Sequence, residues 1–246
     1  MKNLFKVFFL VAFLLGSLAV GQTTNATQHS KEEKIVYKKA EIKDLEKLYE
    51  RAKDNINDRK TEFNTEAEVT LNNKKIDEEK VDVSSTTQLL EQKEDSSGEI
   101  ESYYATTTFV DDFTTQAEAA SSGSRNANKW DSSKGVKAYS TVYYNISTQD
   151  TVPFHDMTKV TGGWTRDDSS IALSGRKVEL GQSGGSKGCG AVSQSKSYSP
   201  TGNTYSYTPP SSWCPVSTKV GSIGTNSTVT LKRGGSTWTL KLVNNN

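Results

Sequence analysis

Ser183 lies among glycines in the run GQSGG, Gly181 to Gly185. Glycines let a backbone turn sharply and bring a hydroxyl into the open. A serine becomes a nucleophile when a base stands within hydrogen-bond reach. A carboxylate must orient that base, and backbone donors must receive the oxyanion. The second half of the chain offers one histidine, His155, in TVPFHDM, and two nearby carboxylates, Asp167 and Asp168.

These five residues resemble the loop that presents the nucleophile in trypsin-like serine proteases. The order His155, Asp167 or Asp168, Ser183 also follows the family's order. The resemblance implies acyl transfer at Ser183, but it covers only those five residues. Gln182 stands where the family loop has aspartate, and the three groups fall within 29 residues. Two barrels position that family's triad, and so short a span cannot build them. The G-x-S-x-G elbow of other serine hydrolases is absent. The expectation is a glycine- and serine-rich loop beside a disulfide, with no catalytic residue and no enzyme activity.

Other chemistry is no better marked. Asp111-Asp112 and Asp167-Asp168 are acidic pairs without the spaced oxygen ligands of a calcium loop. They read as solvated turn residues. His155 alone cannot make a zinc site. Phosphate-loop and dinucleotide fingerprints are missing. The reading is no metal and no cofactor. The basic residues are not interleaved with aromatics, so nucleic acid is not an expected partner.

The opening residues carry Lys2 and Lys6, then the apolar run Val7 to Leu15, then small residues up to Gly21. That order reads as a signal peptide over residues 1–21, with cleavage after Ala26 as the alternative. The expected location is secreted, extracellular, with no integral membrane segment after cleavage. Cys189 and Cys214 are the two cysteines. In an exported protein such a pair reads as a disulfide.

Lys+Arg and Asp+Glu number 30 and 29, but they are not evenly spread. Residues 1–118 carry 16 and 23, a net of −7, and the rest carries a net of +8. The composition of TTQAEAASSGSRNANK reads as a linker at 114–129. The expected organisation is an acidic helix-plus-hairpin segment over 31–113, a possible pro-region, and a basic β-sandwich domain over 130–246. The opposite charges suggest intramolecular docking of the two halves, or contact of the basic half with an anionic surface.

In the first part, Ile42, Leu45, Leu48, Tyr49, Ala52 and Ile56 recur at three and four, one face of an amphipathic helix spanning about Lys31 to Lys60. EAEVTLNN alternates as a strand, with Ala67, Val69 and Leu71 on one face. STTQLLEQKEDSSGEIESYYATTTFV reads as a hairpin. In the second part, VKAYSTVYYNIS puts Val136, Ala138, Val142, Tyr144 and Ile146 on one face. Hairpins are expected about Ser174-Gly175, about Pro200-Asn203 and about Gly234-Gly235. The fold class is mainly β, an antiparallel β-sandwich of Ig-like or jelly-roll-like kind, preceded by a small α+β segment.

All four tryptophans and six of ten tyrosines lie after residue 118. Lys137, Tyr139 and Tyr143 share the polar face of their strand, and Tyr205 and Tyr207 share a face of theirs. These five are the candidate ligand-binding residues. The functional expectation is a non-catalytic protein binding a surface, glycan or protein partner through its basic, Tyr-rich half. The alternative is a bacteriocin-like effector or inhibitor activated when the acidic segment is removed. Asn25, Asn145 and Asn226 stand in N-x-S/T sequons.

Overall fold

A computed structural model describes residues 33–59, 64–71, 74–75, 83–110, 136–166 and 168–246. The signal-peptide and linker expectations lie outside those residues, as do Asp111, Asp112 and Asp167. No helix among the described residues is long and apolar enough to cross a membrane.

The first departure from the sequence reading comes at its start. The stretch Lys34–Lys38, KIVYK, is strand β1, and helix α1 spans only Leu45–Lys53. β-Branched and aromatic residues favour the strand. Asp44 then starts the helix, its Oδ1 accepting from the amides of Glu46 at 3.0 Å and Lys47 at 3.2 Å. Asn55, at φ 54°, stops it. The Asn55 amide donates to Ala52 O at 3.1 Å and the Ile56 amide to Arg51 O at 2.8 Å. That pairing is a Schellman end with asparagine in the left-handed position. Ile56, expected on the apolar face, is therefore outside the helix and exposed.

The remaining elements are strands. They are β2 (Asn64–Leu71), β3 (Lys74–Lys75), β4 (Val83–Glu94), β5 (Ile100–Val110), β6 (Val136–Gln149) and β7 (Val152–Arg166). Then come β8 (Ala172–Ser186), β9 (Gly190–Tyr198), β10 (Thr204–Tyr207), β11 (Val216–Ser217), β12 (Ser222–Arg233) and β13 (Ser236–Asn245). One sheet has the order β1-β4-β5-β6-β7-β10, with β11 also on β7; the other runs β3-β2-β13-β12-β8-β9. Neighbours within each sheet are antiparallel.

The core lies between the sheets. Val142, Val160 and Trp164 meet Val69, Val178, Leu180, Val229, Leu231, Leu240 and Leu242. Alternation produces this: β12 and β13 bury every second residue along most of their length. The mainly β, antiparallel sandwich expected from the sequence is the observed class. A smaller cluster sits on the opposite side of the first sheet. There α1 lays Leu48, Tyr49 and Ala52 on Phe109, with the Tyr49 and Phe109 rings edge to face at 5.6 Å.

The linker does not divide the sheets. β5 pairs with β6 from Ser102–Ile146 to Val110–Ala138, and β2 pairs with β13 from Leu71–Trp238 to Asn64–Asn245. Residues Glu32–Asn246 form one compact unit. The acidic and basic stretches thus meet strand by strand rather than as two docked bodies.

Two expected hairpins take other forms. Ser174-Gly175 lies inside the continuous strand β8, where the register against β12 shifts between Thr228 and Thr230. Gly175, at φ 54°, supplies the left-handed residue of a bulge, not a reversal. Pro200–Asn203 joins β9 of one sheet to β10 of the other, so it closes an edge of the sandwich. The expected hairpins β4–β5 and β12–β13 are present, the second turning at Gly234-Gly235 between Arg233 and Ser236.

Cys189 and Cys214 are disulfide-bonded. The bridge closes a 25-residue separation. By the chain-entropy estimate that is worth about 3.5 kcal/mol. Replacing both cysteines with serine is expected to lower the stability measured by urea unfolding by about 2–4 kcal/mol. An unchanged midpoint would mean that the side-chain bonds around Cys214 already hold the loop.

Candidate functional site

The GQSGG run is part of β8, not a free loop. Ser183 is exposed and pairs in register with Ser193 on β9 and Ser222 on β12. Gln182, beside it, points inward and is buried. Its Oε1 accepts from the Met157 amide at 3.0 Å, and its Nε2 donates to Cys214 O at 2.7 Å. Gln194 holds the same residue from the other side, donating to Cys214 O at 3.0 Å and accepting from its amide at 2.7 Å. The residue that departs from the protease pattern is thus a clamp between β7, β8 and the disulfide loop. Asp168 is a turn residue. Its Oδ1 accepts from the Ser170 amide at 2.8 Å and hydroxyl at 2.6 Å, which holds its carboxyl below the usual range.

His155 is buried between the sheets, 2% exposed. Its Nε2 lies 3.3 Å from Arg59 Nη2, so that nitrogen accepts from the guanidinium. Arg59 also donates to Tyr144 Oη at 3.4 Å and sits over the rings of Tyr104 and Tyr144. Burial, and then the Arg59 charge, pull the imidazole down to about 3. It is a neutral core histidine, packed against the Tyr144 ring.

The five tyrosine and lysine candidates fall into two groups. Lys137, Tyr139 and Tyr143 share the outer face of β6, as expected, but none stands free. Lys137 is buried. Tyr139 is half-buried beside the α1 cluster, and burial raises its phenol. Tyr143 is half-buried and donates to Glu41 Oε1 at 2.6 Å. Burial first, and that bond second, raise its phenol strongly. Tyr205 and Tyr207 form a ladder instead. Tyr198 stacks on Tyr207 at 3.9 Å, Tyr207 lies 6.1 Å from Tyr205, and Tyr205 lies 5.3 Å from Trp164. Tyr205 is buried, and burial pushes its phenol up to about 12. Gly162 on β7 makes room for that ring, since a Cβ there would come within 2.5 Å of Tyr205 Cζ. The ladder ties the corner between the sheets and presents little ring surface to a ligand.

The open part of the first sheet's outer face lies beyond Tyr143. A depression of about 280 Å³ is lined there by Glu91 and Lys93 of β4, Glu101 and Tyr103 of β5, Asn145 of β6 and Thr158 of β7. Register explains the grouping. Glu91 faces Tyr103, Tyr103 faces Asn145, and Asn145 faces Asp156, so one row crosses four strands. Tyr103 stacks on Tyr143 at 6.3 Å, and Lys159 lies over the Tyr143 ring at 5.4 Å. Glu91 is bonded to Lys38 at 2.7 Å, which lowers its carboxyl. Lys93 is bonded to Glu33 at 3.2 Å, which raises its ammonium. Burial, then repulsion from Glu33, raises the Glu101 carboxyl; burial also raises Asp156.

This surface combines carboxylate acceptors, an amide, hydroxyls and paired aromatic rings. That set suits a hydroxyl-rich ligand. Among the described residues no group of three or more His, Cys, Asp or Glu side chains is placed to hold a metal. Sequence reasoning missed Tyr103, Glu101, Asn145 and Asp156 as a group. The alternation of β5, with Glu101 and Tyr103 on one face, was the available signal. Nothing in the sequence states which strands flank it. Compared with known protein families, curated proteins and solved structures, the chain matches none.

Proposed function

We propose that this is an exported, non-catalytic β-sandwich protein that binds a glycan through the outer face of its first sheet. The carrying observation is the depression that sets Glu91, Lys93, Glu101, Asn145 and Thr158 around the Tyr103 ring. Rings stack on sugar faces, and the polar groups select hydroxyl positions. Export is supported by the signal-peptide reading and by the disulfide, which is compatible with an extracellular location. The activated-effector alternative has less support, because β5 is a strand of the first sheet and β2 a strand of the second, and removal of the acidic part would take both from the sandwich.

Titration calorimetry with purified cell-surface oligosaccharides tests the reading. At least one glycan is expected to bind, with Tyr103→Ala weakening it about tenfold or more, the ~1.4 kcal/mol scale of a lost aromatic contact. The melting temperature of the variant reports whether the fold survives. Binding that Tyr103→Ala leaves unchanged would move the site elsewhere. Release of reducing ends that Glu101→Gln abolishes would make the protein a hydrolase instead.

A further inference from the structure

At the depression on the first sheet, the carboxylates of Glu33, Glu91 and Glu101 share two ammonium groups. Lys38 bonds Glu91 at 2.7 Å, and Lys93 lies 3.2 Å from Glu33 and 4.0 Å from Glu91. Glu101 stands opposite Lys93 in register, yet its carboxylate has no ion-pair or hydrogen-bond partner among the described residues. Were Lys93 to turn to Glu101, Glu33 would lose its partner, so one carboxylate is left over in either arrangement. Glu101 is also half-buried. Burial, and then Glu33, hold its carboxyl above the usual range, as befits a charge without a counter-ion.

Tyr103 lines the same depression. Its stacking partner Tyr143 already carries the Lys159 ammonium, 5.4 Å from the ring centroid. No cation among the described residues covers the Tyr103 ring in the same way.

We propose that the depression takes a glycan with a free amino group, an amino-sugar unit whose ammonium bonds Glu101 beside the Tyr103 ring. This inference rests on the glycan reading and names the class of sugar. An ammonium gives Glu101 the charge-assisted bond that a sugar hydroxyl cannot. It is also attracted to the face of an aromatic ring. A uronate or a phosphate would instead bring a further negative charge against the carboxylate left over. An N-acetylated sugar has the same ring and lacks the charge.

The test is titration calorimetry of the purified protein at about pH 6, where the ligand's amines are protonated. The probes are chitosan tetrasaccharide, its N-acetylated counterpart and spermidine. The free-amine tetrasaccharide is expected to bind about tenfold tighter than the N-acetylated one, or more, as exchange of a neutral for a charge-assisted contact requires. Glu101→Gln should bring the two affinities within about twofold of each other, and Glu101→Asp should restore part of the preference. Melting temperatures report that both variants fold. Equal binding of the two tetrasaccharides, or a preference that Glu101→Gln keeps, would overturn the inference and leave the glycan reading standing. Binding of neither also overturns it, and the glycan reading then depends on the wider oligosaccharide series. Spermidine bound as tightly as the free-amine tetrasaccharide, with the same loss in Glu101→Gln, would replace the sugar by a plain amine.

Discussion

A chain cut within residues 114–129 is expected to stay together, whereas residues 130–246 made alone are expected not to fold. The sheets dictate both outcomes. β5 fills the place between β4 and β6, and β2 covers the edge of β13. Removing the first part strips Val69, Ala105, Phe109 and Val110 from buried positions. It also removes the β5 and β2 partners along most of β6 and β13. Buried side chains of the larger of these types contribute about 1.5–3 kcal/mol each. Three of them approach the whole stability of a domain, about 5–15 kcal/mol. A nick removes none of these contacts. An engineered protease site in the linker, followed by size-exclusion chromatography, reads the first outcome: the two pieces should elute together and separate only in denaturant. Circular dichroism of the 130–246 fragment reads the second. A folded, cooperative fragment would restore the view that the acidic part is a detachable pro-region.

The linker composition and the charge division were both legible in the sequence, and both suggested two bodies. They suggested it because charge is a surface property, while strand pairing is a property of the backbone. The net of −7 before residue 119 does not specify which strand neighbours which. Alternation did locate β2, β6, β12 and β13, whereas β4 and β5 were found as β-formers on either side of a turn-rich stretch; β5 buries residues 105–110 without a break because α1 covers its other face. Pattern failed where a local signal has two structural meanings. Ser174-Gly175 has the composition of a turn, yet one left-handed glycine also makes a bulge. SYSPTGNTYSY has the composition of a hairpin, yet its two strands join different sheets because Gly162 opens a place for Tyr205 on β7. The helix was overextended because Ile42 and Ile56 fit a helical spacing, while only Asp44 and Asn55 carry the end signals.

The candidate site shows the same limit more sharply. Lys137, Tyr139 and Tyr143 were correctly placed on one face of β6. What covers that face was not legible. The segment around Glu41 and α1 takes up one part, and the open part falls to residues of β4, β5, β6 and β7. Gln182 is a related case. Read as a missing protease aspartate, it marked only an absence. Its buried amide, bonded to Met157 and Cys214, gives it a positive structural role.

Stability is expected to fall steeply as the pH is lowered from 7 to 5, and His155 sets the slope. In the unfolded chain a histidine titrates near 6.5, to within roughly a unit. In the folded protein His155 is held to about 3, first by burial and then by Arg59. Between those values the unfolded state binds a proton that the folded state refuses, so acid favours unfolding. The loss approaches about 1.4 kcal/mol for each pH unit well below 6.5, and reaches roughly 4–5 kcal/mol by pH 3. Glu101 and Asp156 act in the opposite sense. Their carboxyls are raised, so the folded state holds their protons more tightly and gains stability as they protonate. That gain sets in as the pH falls through their raised folded-state values, so it offsets part of the histidine's loss. Urea unfolding at pH 7.5, 6 and 5 should show the midpoint dropping in the native protein. His155→Gln, which keeps an acceptor for Arg59 but no titrating ring, should start lower and show no such drop over the same range. A native midpoint that is flat between pH 7.5 and 5 would mean that the Arg59–His155 contact opens enough to admit the proton without loss of the fold.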